Sequence, residues 1–134
     1  MAQIAVFDVN ETTLDLTPVR SVVDGLLGHR HGFTLWFQKL LQLSMTATAT
    51  GSYTDFGTLA RSALSAVADA SDTALPPNGW DQVASAMGSL GAYPDVRTGL
   101  ESLRDAGWTT VALTNSAPAT VEAQLAGAGI AELF

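Results

Sequence analysis

Two short apolar runs constrain what this chain can fold into. Ile4-Ala5-Val6-Phe7 and Thr109-Thr110-Val111-Ala112-Leu113 are rich in strand-forming residues, and each stops at a polar cluster: Asp8 to Thr13 after the first, Thr114-Asn115-Ser116 after the second. Near-continuous apolar runs of this length read as parallel strands covered on both faces. The segment before the second run predicts a helix over 95–106, with Asp95 as its N-cap and Gly107 as its stop. Beyond the second run, Ser116 as a cap and Pro118 in the first turn predict a further helix carrying Val121, Leu125 and Ala128. Helix, strand, loop, helix is a unit of an α/β sheet, so the expected fold class is α/β.

The long stretch between the two runs is helical in pattern. Phe56, Leu59, Ala60, Ala63, Leu64 and Val67 recur at spacings of three and four, as one helix face does. Phe33, Trp36, Phe37, Leu40, Leu41 and Met45 form a second such series. Ser71 to Gly79, with Pro76-Pro77, reads as a loop, and Trp80 to Leu90 as another helix. A crossover between parallel strands usually contains one helix, so several predict a helical subdomain or lid. The expected organisation is an α/β core of residues 1–16 and 91–134, with a helical insert over 17–90.

Composition narrows the functions. With 47% apolar and 14% charged residues, the 134-residue chain folds around a core rather than staying disordered. Thirteen acids against six bases give a net charge of −7, which excludes nucleic acid and anionic membrane as natural partners. The absence of cysteine excludes disulfides, thiolate zinc sites and a cysteine nucleophile. No run of about 18 apolar residues exists to span a membrane. The opening Met-Ala-Gln lacks the basic region of a signal peptide, and Asp8 arrives too early for one, so a soluble cytoplasmic protein is expected. His29 and His31 flank Arg30 in a glycine-bounded loop, without a carboxylate or third ligand nearby, so no metal or other cofactor is expected.

In an open parallel sheet, ligands bind at the carboxyl ends of the strands. Asp8 leaves one such end and Thr114-Asn115-Ser116 the other. If the strands are neighbours, a carboxylate, an amide and two hydroxyls converge in one crevice. The competing reading is that Asp8 and Asn10 only shape a turn, as such residues do in most loops.

Phe7-Asp8-Val9-Asn10-Glu11-Thr12-Thr13-Leu14-Asp15 resembles the first motif of the haloacid dehalogenase-like superfamily, and Leu113-Thr114-Asn115-Ser116-Ala117-Pro118 resembles its second. The helices between them, Tyr93-Pro94-Asp95-Val96 and the helix ending at Gly107 are similar to the L-2-haloacid dehalogenase (type II) branch, over essentially the whole chain. The resemblance implies a Rossmann-like parallel sheet core with an inserted helical cap. It further implies that Asp8 is a nucleophile forming an aspartyl ester with a small 2-haloacid or related substrate. Thr12 would orient that nucleophile, Thr114 would contact substrate oxygens, Asn115 would lie near the departing halide, and Ser116 would occupy a small-residue position. Asn10, Trp36 and Phe37 complete the expected substrate-binding set. Relatives of this kind are commonly dimeric, which makes a homodimer an expectation too.

Three departures bear on the chemistry. Phosphatases of the superfamily carry a second Asp two residues after the nucleophile, where this chain has Asn10, and an amide is no general acid at neutral pH. Type II dehalogenases place an Arg after a cap Trp, where this chain has Phe37 after Trp36; Phe lines a pocket but supplies no charge to a halide, a role left to Asn115 and to Arg20 or Arg61. The Lys and acid that follow the second motif in the family have no match, since Lys39 is the only lysine. Truncation after the second motif is the expected explanation, and a sheet of only two clear strands is expected to leave an open edge and an uncovered face. The alternatives to a dehalogenase are therefore a superfamily phosphatase, or a non-catalytic relative acting as a binding module. Aromatic residues at helical spacing, such as Trp36, Phe37 and Phe56, are more often core than pocket.

Overall fold

A computed structural model describes residues 3–134. Its elements, in chain order, are β1 (Gln3–Asp8), α1 (Thr17–Leu27), α2 (Gly32–Ala49), α3 (Phe56–Ala70), α4 (Gly79–Gly88), α5 (Val96–Asp105), β2 (Trp108–Leu113), α6 (Pro118–Gly127) and a 3-10 turn, Ala131–Leu133. The chain forms two compact units, one taking the residues up to Leu16 together with Met87–Phe134, the other the continuous stretch Thr17–Ala86.

In the first unit β1 and β2 pair in parallel, in a register running from Gln3 opposite Trp108 to Asp8 opposite Leu113. Side chains alternate between the faces of a strand, and registered partners share a face. Ala5, Phe7, Thr110 and Ala112 therefore point one way, and Ile4, Val6, Val111 and Leu113 the other. On the first face Thr110 is buried and its hydroxyl donates to the Leu133 carbonyl. Phe7 meets Phe134 edge-on, with ring centroids 6.2 Å apart. The C-terminal turn is clipped to α5 as well: Arg104 donates to the Glu132 carbonyl at 2.8 Å, and Arg97 bridges Glu101 and Glu132.

The second face is uncovered, as a sheet of only two strands leaves it. Ile4 and Val6 are each 58% exposed and Leu113 67%. The apolar runs are strands, but one face of the sheet is open.

The second unit is built on helix faces. α1 buries Val19, Val23 and Leu27, α2 buries Phe33, Trp36 and Leu40, and α3 buries Ala60, Ala63, Leu64 and Ala68, all at spacings of three and four. The alanines of α3 leave room for a large partner. Trp36 fills it, and its indole N–H donates to the Ala60 carbonyl at 2.9 Å. Asp24 in α1 accepts the Phe33 backbone N–H at 2.7 Å, satisfying one donor at the start of α2. The Arg20 guanidinium lies 4.1 Å from the centre of the Phe33 ring, an attractive cation–π placement.

Two expected helix caps are not made. Asp95 stands at the start of α5, but its backbone is already helical (φ −90°, ψ −15°) and its side chain makes no capping bond. At α6 the cap position falls on Ala117, with Pro118 in the first turn as expected, and the Ser116 backbone N–H instead donates to Thr114 Oγ1 at 3.2 Å. The working cap is Asp55, in extended backbone (φ −63°, ψ 149°), which accepts the Thr58 N–H at 2.9 Å and also the Thr58 hydroxyl. Gly107, at φ +81°, ends α5 as expected.

The hydroxyl and backbone N–H of Thr58 hold the Asp55 carboxyl below its ordinary value of 3.8. A carboxyl lowered by folding stabilises the fold above its unfolded value, and that contribution disappears as pH falls through the lower folded value. Asp55→Ala is therefore expected to reduce the urea midpoint at neutral pH. The gap from the unsubstituted protein should close below about pH 4, as measured by urea titration across the pH range.

Candidate active site

The site grows out of the end of β1. Asp8 closes the strand, and the chain then turns tightly over Val9, whose carbonyl accepts the backbone N–H of Thr12 (3.4 Å), Thr13 (2.9 Å) and Leu14 (2.9 Å), and the Thr13 hydroxyl (3.0 Å). One oxygen thus organises the whole loop. Glu11 takes left-handed backbone at φ 61°, which a non-glycine residue adopts only when its surroundings over-determine it. The surroundings do so. Glu11 N–H donates to the Leu14 carbonyl at 2.9 Å, Asp15 N–H to Gly91 at 2.9 Å, and Tyr93 N–H to Thr13 at 3.1 Å. Val9 and Leu14 are fully buried beneath the loop, and Leu16 nearly so.

This scaffold delivers Thr12 to Asp8. The Thr12 hydroxyl donates to Asp8 Oδ2 at 2.8 Å, and Asp8 itself is exposed at the strand end. The parallel register sets Leu113 beside Asp8, so Thr114 is the first residue past the same end of the neighbouring strand. Adjacent strands lie about 4.8 Å apart, which brings the Thr114-Asn115-Ser116 backbone to the end that carries Asp8. Thr114 and Ser116 are half-buried and Asn115 is exposed.

Asn10 is engaged in the loop by a bridge to Leu14, and its side-chain oxygen is buried with no hydrogen-bond partner among the described residues. A buried acceptor of this kind is ordinarily satisfied by a donor from outside the chain, such as water. Trp36 and Phe37 belong to the helical unit. Trp36 is a core residue, 2% exposed, with its N–H already committed to Ala60, while Phe37 is half-buried and stacks on Phe33 at 5.6 Å between ring centroids. Arg61 is exposed on α3.

Sequence reasoning misses Thr13. It touches no candidate reacting atom, yet its buried hydroxyl helps fix the turn that presents Thr12. The only signal is the doubled threonine, of which pattern alone singles out neither. Next to it a cavity of about 470 Å³ is lined by Phe7, Thr12, Tyr93 and Asp95, with Leu100 and Leu103 among its apolar residues. Among the described residues no group of three histidine, aspartate or glutamate side chains is placed to hold a metal ion, and no helix is long and apolar enough to cross a membrane.

The two threonines should behave differently. Thr13→Val removes a buried hydroxyl bonded to a loop carbonyl, and is expected to cost about 1 kcal/mol in urea-unfolding free energy. Thr12→Val removes an exposed hydroxyl and should stay within about 0.5 kcal/mol. Comparable losses for the two would contradict this division between scaffold and site.

No protein-family model matches the chain. Its sequence is 30% identical over 118 residues to (S)-2-haloacid dehalogenase 1 of a Pseudomonas species (strain CBS-3), covering 82% of this chain and 49% of that protein. The structure of L-2-haloacid dehalogenase from Xanthobacter autotrophicus with chloropropionic acid covalently bound matches 100% of this chain and 55% of its own, at a TM-score of 0.80 and 29% identity. A further L-2-haloacid dehalogenase structure shares the fold at a TM-score of 0.91 and 22% identity, over 99% of this chain and 61% of its own. The chain spans about half the length of the curated relative it matches.

Proposed function

The chain belongs to the haloacid dehalogenase-like superfamily, in its L-2-haloacid dehalogenase branch, and from that membership we propose that it carries the nucleophile half of a hydrolase acting on a small 2-haloacid or related substrate. The observation that carries the reading is the Thr12 to Asp8 hydrogen bond at the carboxyl end of a strand paired with the one leading into Thr114-Asn115-Ser116. The Xanthobacter enzyme holds chloropropionic acid in covalent linkage, which supports a covalent route here.

The chemistry follows from which oxygen is occupied. Thr12 engages Asp8 Oδ2, fixing the carboxylate plane and leaving Oδ1 as the attacking atom. Oδ1 forms a bond to the substrate carbon bearing the halogen, and the carbon–halogen bond breaks with its electron pair leaving on the halide. The product of this step is an ester on Asp8. Water then adds to the ester carbonyl carbon, the bond from that carbon to the substrate oxygen breaks, and a 2-hydroxy acid leaves with the Asp8 carboxylate restored. The cycle consumes one water and releases one halide and one proton.

The remaining residues take roles on the same reading. Thr114 and Ser116 offer hydroxyls to the substrate carboxylate, and Asn115 offers an amide N–H to the departing halide. Asn10 accepts a hydrogen bond from substrate or water through its side-chain oxygen. Within the helical unit Phe37 offers an apolar side chain rather than a charge, and the indole of Trp36 acts through the packing of that unit. Asn10 has no proton to give a leaving alcohol, which disfavours phosphate-ester hydrolysis. A cytoplasmic location belongs to the same proposal.

Incubation with 2-chloropropionate is expected to release chloride and to leave a mass adduct on Asp8 under rapid quenching. Asp8→Asn should bring release to background, and Thr12→Val should lower it at least tenfold, equivalent to ~1.4 kcal/mol of barrier. Chloride release unchanged by Asp8→Asn would end the hydrolase reading, as would neither chloride nor adduct from the unsubstituted chain. Magnesium-dependent phosphate release from a generic phosphate ester would favour the phosphatase instead.

A further inference from the structure

We infer that the cavity beside Thr12 receives the substituent on the reacting carbon. The preferred substrates are then 2-halo monocarboxylic acids carrying an apolar group longer than methyl. This rests on the hydrolase reading proposed above and deepens it. Thr12 ties the two sites together: its hydroxyl donates to Asp8 Oδ2 at 2.8 Å, and the same residue lines the cavity. A chain attached to the carbon that Asp8 attacks has only one side chain to pass before it enters.

Size and lining decide what the cavity accepts. At about 470 Å³ it falls within the roughly 300–1,000 Å³ of small-ligand sites, and a single methyl group would leave most of it to water. Phe7 of β1 and Leu100 and Leu103 of α5 give it apolar walls. Among the described residues its lining holds no lysine or arginine, while Asp95 brings a carboxylate that makes no capping bond to α5. A second carboxylate on the substrate would meet that charge and be repelled. An alkyl group would exchange water for apolar contact.

Gly99 keeps the volume open. It lines the cavity from within α5, one helical turn before Leu103. Glycine is disfavoured inside a helix, and here no close neighbour calls for it, since a Cβ would meet nothing within 4 Å. What the missing side chain provides is space.

The test compares bromide release from 2-bromopropionate and 2-bromohexanoate, which share a leaving group. Calorimetric titration of propionate, hexanoate and succinate supplies halogen-free probes of the same cavity. At roughly fourfold per methylene, the longer bromoacid is expected to show at least tenfold higher kcat/KM, mostly through a lower KM. Hexanoate should bind at least tenfold more tightly than propionate, and succinate no more tightly than propionate. Gly99→Leu fills the cavity, so it should bring both ratios close to one while keeping the circular dichroism spectrum and raising the urea midpoint. Equal kcat/KM for the two bromoacids, equal binding of hexanoate and propionate, or ratios untouched by Gly99→Leu would each overturn the inference and leave the hydrolase reading in place. Tight hexanoate binding that Gly99→Leu abolishes, with no bromide from either acid, would end the hydrolase reading while supporting the cavity as the subsite for the apolar chain.

Discussion

The parallel pairing of β1 with β2 is the constraint on which the rest depends. It joins segments from opposite ends of the sequence, and its register decides what stands beside what: Asp8 beside Leu113, and Thr114 just beyond. A slip of one residue would turn every side chain of a strand to the other face, burying Ile4 and Val6 and expelling Phe7. The buried Thr110, bonded to the Leu133 carbonyl, and the Phe7–Phe134 contact hold the observed register from one side. The site is therefore a product of sheet geometry before it is a product of loop chemistry.

Much of this was legible because burial leaves a periodic mark. Ile4–Phe7 and Thr109–Leu113 read as strands and are strands, and the apolar series from Phe56 to Val67 reads as the face that α3 buries. Boundaries and caps were less legible. Whether an Asp caps a helix depends on its own backbone: extended at Asp55, already helical at Asp95. Composition does not encode that difference. α2 continues past Met45, and there Thr46, Thr48 and Thr50 return their hydroxyls to carbonyls one turn back, at 2.8, 3.0 and 2.9 Å. The open sheet face was legible from the count of strands rather than from their composition, since apolar side chains record what a strand is suited to touch and not whether a neighbour is there.

The candidate site divides in the same way. Asp8 stands out by its place at a strand end and Thr12 through the family resemblance, and they are in contact. Thr13 does not stand out, because its contribution is a bond to a main-chain oxygen that becomes significant only once three amides are seen on the same carbonyl. Trp36 shows the converse. The resemblance gives its indole a binding role, while in the structure the buried N–H donates to the Ala60 carbonyl. Arg20, one of the two arginines the sequence offers in place of the missing cap Arg, lies over the Phe33 ring.

The interrupted layout of the α/β unit has a consequence for how the molecule is made. The helical stretch Thr17–Ala86 is continuous and dominated by neighbours close in sequence, so it can mature while the ribosome is still adding residues. β1 emerges first and yet must wait for Leu113 before its partner exists. During that interval an apolar strand with free hydrogen-bonding edges is open to any other nascent chain nearby. The entropy of closing so long a span grows only logarithmically with its length, so the delay costs time far more than final stability. Slower elongation, or a holdase that shields the amino terminus, should accordingly govern the yield of folded material more than any substitution within the helices.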